Sequence, residues 1–194
     1  MVSLSTLFLT FKTYIQMSCL LTSGRTLPCK KSVGGLKSIL FADYGTLGAS
    51  TIVAGEITAF AGTPEWFKFD IKGNSSLETT INSSRENGST FYTQTLNATL
   101  TTLDKATQEE IKLITSSRPH VAVEDYNGNY FLVGLEHGAE VTGGTIVSGA
   151  AMGDMSGFTL TLEGQELSPA YFVTPAVITA DTSATVINPQ TPNG

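Results

Sequence analysis

The sequence predicts a mainly β chain: a β-sandwich or open barrel with one flanking α-helix and a long β-hairpin. Three observations carry that expectation. Short segments alternate polar and apolar residues with a period of two, most cleanly in FYTQTLNATL at 91–100. Turn signals separate the segments, above all Asn87-Gly88 and Asn127-Gly128. One stretch, DKATQEEIKLITSS at 104–117, has the composition and spacing of a helix.

In chain order, LKSILFAD at 36–43 reads as a first strand. TIVAGEITAF at 51–60 reads as one extended segment interrupted at Gly55, and Gly62 and Pro64 end it. EWFKFDI at 65–71 is extended, with Trp66, Lys68 and Asp70 on one face and Phe67 and Phe69 on the other. SLETTINS at 76–83 and the stretch from 90 to 102 form two long antiparallel strands around the turn SRENGS at 84–89. On the return strand, Tyr92, Leu96, Ala98 and Leu100 share one face, with Gln94 as the polar exception. Thr93, Thr95, Asn97 and Thr99 share the other, a polar stripe without charge.

Asp104 is a good N-cap for the helix, and Pro119 follows its end. HVAVEDY at 120–126 and YFLVGLEHG at 130–138 make a hairpin around NGN. The glycine-rich 143–157 reads as a loop, and GFTLTLEGQEL at 157–167 as the last core strand. Beyond Pro169 no period is visible, and 179–194 reads as a flexible tail. Residues 1–16 read as an N-terminal extension or an upstream start, with the domain spanning 17–178 from Met17. A signal peptide is the alternative for the apolar N-terminus, but it lacks a basic leading region and is short for a membrane span. No membrane association is expected.

Bulk numbers narrow the function. Charged residues make up 14% of the 194, against about a quarter in ordinary domains. The net charge is −6, which argues against gripping nucleic acid, since phosphate binding needs a Lys/Arg stripe. Cys19 and Cys29 form no C-x-x-C and read as reduced thiols. Sequons at Asn74, Asn82, Asn87 and Asn97 match a Ser/Thr-rich chain by chance.

Candidate chemistry is thin. GGTIVSGAAMG lacks the Gly-Lys-Ser/Thr of a phosphate loop and the G-x-G-x-x-G of a dinucleotide site. Glu136 and His137 are adjacent, and neighbouring strand residues point to opposite faces, so they are not expected to converge. Glu124 and Asp125 read as solvated hairpin residues. Asp43 and Asp70 could act as a pair only if the fold joins them. Cys29 beside Lys30 and Lys31 is a weak nucleophile candidate. No enzyme, cofactor or metal is expected.

Taken in order, three stretches resemble tail tube proteins of tailed bacteriophages. They are LPCKKSVGGLKSILFADYG, FYTQTLNATLTTLDKATQEEIKLITSSRPHVAVEDYNGNYFLVGLEHGAEVTGG and MSGFTLTLEGQELSPAYFV. The resemblance covers about residues 17–178. It implies a β-sandwich that assembles into hexameric rings, stacked as a hollow tube that conducts genomic DNA during ejection. It implies a homo-oligomer made in the bacterial host cytoplasm and located in the virion tail, with tape-measure and tail-terminator proteins as partners. Thr93, Thr95, Asn97 and Thr99 would face the lumen, where DNA slides past without sequence-specific binding. Arg85, Glu86, Asn87, Gly88, Gly149, Met152 and Asp154 would lie in ring-stacking loops. Two other readings share the composition. One is another virion β-sandwich, a head–tail connector or decoration protein. The other is a secreted binding module that stacks ligands on Trp66 with Tyr126 or Tyr130.

Overall fold

A computed structural model describes residues 23–26, 30 and 32–179. Residues up to Lys31 form one unit, and those from Ser32 onward a second. In the first unit, the described residues 23–26 and Lys30 are all exposed. The expectations for 1–16, for Cys19 and Cys29, and for the tail beyond Thr179 lie outside the described residues.

The second unit is a two-sheet structure. Its strands are β1 Leu36–Ala42, β2 Ser50–Val53, β3 Glu56–Phe60, β4 Phe67–Asp70, β5 Ser76–Ser84, β6 Ser89–Thr101, β7 His120–Asp125, β8 Tyr130–Val133, β9 Glu140–Val147, β10 Gly157–Glu166 and β11 Tyr171–Val173. Its helices are α1 Lys105–Ser116 and α2 Pro175–Thr179. A seven-stranded sheet has the order β2-β3-β11-β8-β7-β1-β4, and a four-stranded sheet the order β5-β6-β10-β9. The sandwich with a flanking helix and a long hairpin is therefore present. No closed barrel forms among the described residues, because both sheets keep free edges.

Hydrophobic burial explains the layers. Between the sheets, Ile39, Phe41, Val121 and Val123 of the large sheet meet Leu96, Leu100, Phe158 and Leu162 of the small one. Helix α1 adds Ile111 and Ile114 to this core. Asp104 caps it as expected, accepting from the N–H groups of Ala106 and Thr107 at 3.0 and 3.1 Å. A second core lies on the other face of the large sheet. There Leu40, Ala42, Ala122, Leu132 and Val173 pack with Leu47, Trp66 and Ile178. Strands β1 and β7 are thus buried on both faces, so their apolar runs are nearly continuous.

Several expectations need correction. The segment 51–60 is not one strand but a hairpin of β2 and β3. Ala54 and Gly55 both take positive φ, 53° and 85°, as a tight two-residue hairpin turn requires. The stretch 143–157 is a loop only from 148 to 156, because β9 runs through Gly143 and Gly144. A Cβ on Gly144 would meet the Thr159 carbonyl oxygen at 2.5 Å, next to a register shift in the β9–β10 pairing. Glycine here permits close strand approach at a bulge. Trp66 is no surface platform: it is fully buried in the second core, beside Phe60. Beyond Pro169 the chain still contributes β11, which pairs parallel with β3 and antiparallel with β8, followed by α2.

Candidate functional site

The polar stripe of β6 lies on the outward face of the four-stranded sheet. Leu96, Ala98 and Leu100 are buried beneath it, while Thr93, Thr95 and Thr99 are half-buried and Asn97 is exposed. Neighbouring strands hold this face in place by side-chain hydrogen bonds. Asn82 donates to Thr93 Oγ1 at 2.8 Å, and Thr161 donates to Asn97 Oδ1 at 3.0 Å. Thr99 donates to the Asn74 carbonyl at 3.2 Å, and Thr145 and Thr159 share a bond of 2.6 Å.

The face is uncharged only along β6. Cross-strand register puts Glu78 and Glu163 on either side of Thr95, and Glu140 beside Glu163. One row across the sheet therefore carries three carboxylates. No Lys or Arg occurs in β5, β6, β9 or β10. The outward face is neutral to acidic throughout, and a polyanion finds no charge-assisted contact on it. Among the described residues, both edge strands are long and lack a partner on one side: β5 has nine residues and β9 has eight.

Gln94, the polar exception on the apolar face, is buried and satisfied. Its Nε2 donates to the Ser168 carbonyl at 3.1 Å, and its Oε1 accepts from Gly134 N–H at 3.0 Å. It ties the small sheet to the bend after β8. Glu166 fastens the same bend. Its Oε1 accepts from the N–H groups of Glu136 and His137, both at 2.9 Å, and its Oε2 lies 3.2 Å from His137 Nδ1. Glu136 and His137 do converge, because residues 134–138 form a bend and not a strand. Donor atoms of Glu136, His137 and Glu166 lie within 4.8 Å of one another. Since Glu166 already bonds the backbone and the other two are exposed, the cluster is accounted for as a structural fastening.

His120 fastens a third segment. It is buried, and Nε2 accepts from Gly45 N–H at 3.0 Å. The proton therefore rests on Nδ1, which donates to the Gly134 carbonyl at 2.6 Å. Tyr44 stacks on the imidazole, and Arg118 lies 4.6 Å from the Tyr44 ring centroid. Burial pushes the His120 pKa below its ordinary value, and the Gly134 bond offsets only part of this.

Glu124 and Asp125 are not simply solvated. Glu124 is buried, bonded by Lys37 and by Ser38 Oγ at 2.8 Å. Burial alone would raise its pKa, but Lys37 and Ser38 outweigh that and hold it below the ordinary value. Asp125 organises the NGN turn, accepting from the N–H groups of Asn127 and Asn129 at 2.8 Å each. Asp43 and Asp70 are not brought together. Asp70 pairs with Ser38 near the start of β1, and Asp43 follows its end.

The loops expected to stack occupy opposite ends of the four-stranded sheet. Arg85, Glu86, Asn87 and Gly88 form the exposed tip between β5 and β6. Gly149, Met152 and Asp154 lie in 148–156, beyond the Thr101–Gly157 pair at the other end. At the tip end, Tyr44, Leu47, Ile52, Leu132 and Leu167 line a cleft of about 520 Å³. Among the described residues, no helix is long and apolar enough to cross a membrane. No protein-family model, curated protein or solved structure matches the chain.

Proposed function

We propose that this chain is a structural virion subunit that self-assembles into rings stacked as a hollow phage tail tube. The observation that carries the reading is the four-stranded sheet: strands without Lys or Arg, bounded by two long edges that are open among the described residues. Open edges are a hazard for a monomer, and ring closure satisfies them. In such a ring Thr93, Thr95, Asn97 and Thr99 line the lumen with the carboxylates of Glu78, Glu140 and Glu163. DNA leaves along this wall without a salt-dependent hold. Hexameric symmetry, location in the virion tail, and tape-measure and terminator partners belong to the same proposal and follow from the sequence resemblance. A decoration protein has no lumen for such a face to line. The stacking platform of a secreted binding module loses Trp66, which is buried.

Negative-stain electron microscopy of the purified chain over a concentration series tests the reading. Rings or hollow tubes that appear with rising concentration support it. Monodisperse small particles at every concentration, with or without a tail initiator complex, count against it.

A further inference from the structure

Two Asn-Gly pairs stand in hairpin turns, Asn87-Gly88 between β5 and β6 and Asn127-Gly128 between β7 and β8. This dipeptide is the most reactive context for an asparagine side chain, because glycine carries no side chain to shield its own backbone nitrogen. Exposure does not distinguish the two pairs, since all four residues are exposed. Hydrogen bonding does. The Asn127 amide is held at both ends: Nδ2 donates to the Val33 carbonyl at 2.8 Å and to Asp125 Oδ2 at 3.1 Å, and Oδ1 accepts from Val33 N–H at 3.0 Å. Gly128 N–H donates to the Asp125 carbonyl at 3.2 Å. At the β5–β6 tip, Ser84 Oγ accepts from the backbone N–H of Asn87 at 3.3 Å. Among the described residues, neither the Asn87 side-chain amide nor Gly88 N–H has a hydrogen-bond partner. Nothing lies within 4 Å of where a Cβ on Gly88 would sit, so the tip has room to rearrange.

We propose that Asn87 is a site of spontaneous deamidation, and that the folded hairpin protects Asn127 from the same reaction. Gly88 N attacks Asn87 Cγ and gives up its proton. The Cγ–Nδ2 bond breaks, and ammonia leaves with that proton, closing a cyclic imide across residues 87 and 88. Water then opens the imide. Addition at Cγ gives an aspartyl residue. Addition at the main-chain carbonyl gives an isoaspartyl residue, whose chain runs on through the side-chain carbons. One water is consumed and one ammonia is released. Either product places a carboxylate beside Glu86, and the isoaspartyl product also lengthens the backbone of the turn by one carbon. At Asn127 the same attack requires the amide to leave Val33 and Asp125, and Gly128 N–H to leave the Asp125 carbonyl. The reacting atoms are therefore kept from a near-attack geometry while the hairpin is folded.

The test incubates dilute full-length chain in mildly alkaline buffer, folded in one sample and unfolded in guanidinium chloride in the other. Glutamate-specific digestion puts Asn87, Asn127 and Asn193 (the Asn-Gly pair outside the described residues) on separate peptides. Tandem mass spectrometry then reads the added mass and the isoaspartate at each site. The folded chain should convert Asn87 at least about ten times faster than Asn127, because only the former can reach the attacking geometry. Unfolding should bring the two rates together. Two results overturn the proposal: Asn87 surviving in the folded chain while it converts in the unfolded one, or Asn87 and Asn127 converting at equal rates when folded. Both leave the tube reading untouched.

Discussion

The two sheets solve the same burial problem in opposite ways. The seven-stranded sheet is covered on both faces at its centre, so β1 and β7 carry apolar side chains on each side. The four-stranded sheet is covered on one face and leaves the other to Thr, Ser, Asn and Glu. The first arrangement gives stability. The second gives up apolar burial on a whole face and, among the described residues, leaves two edges open. A face built this way is free to be a working surface, because little of the core depends on it.

Neighbouring residues on β6 offer the strongest way to break that contrast. Leu96→Ala should cost about 2–5 kcal/mol, since it opens a cavity between the sheets. Thr95→Lys, one residue away on the outward face, should shift stability by no more than about 0.5 kcal/mol. Urea unfolding of both variants checks this. On the proposed tail-tube reading, Thr95→Lys should allow tubes but slow DNA ejection. Equal losses of stability in the two variants would show that the outward face is packed like the core.

A smaller effect separates the fastenings from the apolar core. The folded state holds His120 neutral, with its pKa below the ordinary 6.5. Below pH 6.5 the unfolded chain takes up the proton first, so stability falls as pH drops, by up to about 1.4 kcal/mol per pH unit. Above that value the contribution is complete. The Glu124 carboxyl is held below its ordinary 4.5, so its contribution is present above that value and is lost only in more acid solution. Unfolding free energies measured from pH 7.5 to about 5 should slope in the parent and flatten in His120→Gln. An unchanged slope in that variant would place the titration elsewhere.

The smallest effect sharpens the account of the second core. Among the described residues, the buried Trp66 Nε1 has no hydrogen-bond partner. Trp66→Phe removes that unsatisfied donor while leaving a small void, and the two changes oppose each other. The net change should stay within about 1 kcal/mol, far less than the roughly 3–5 kcal/mol expected for Trp66→Ala. Thermal unfolding of both variants measures the difference.

What was legible in the sequence follows from range. The β5–β6 hairpin and α1 were readable because their signals are local: a one-sided period, an Asn-Gly turn, an Asp cap. β9 was hidden because two glycines in an edge strand look like a loop until the bulge with β10 is known. The β2–β3 hairpin is hidden because its turn needs positive φ at Ala54 as well as at Gly55, and an alanine carries no turn signal. The buried polar groups depend on distant partners. Glu124 meets Ser38 across 86 positions, and Gln94 meets Gly134 across 40. Gln94 alone left a trace, a polar residue at an apolar position of a strict alternation. The outward carboxylates were each visible, but their common row required the strand order.

The order β5-β6-β10-β9 has one further consequence, which comes from counting. All its pairings are antiparallel and the strands are four, so the two open edges run in opposite directions. When β9 of one copy meets β5 of the next, the alternation continues with both copies pointing the same way. With an odd number of strands, the same junction would be parallel, or every second copy would have to invert. Even parity thus builds vectorial polarity into a closed assembly of this sheet joined β9 to β5: one rim would carry every hairpin tip, and the other every Met152 loop.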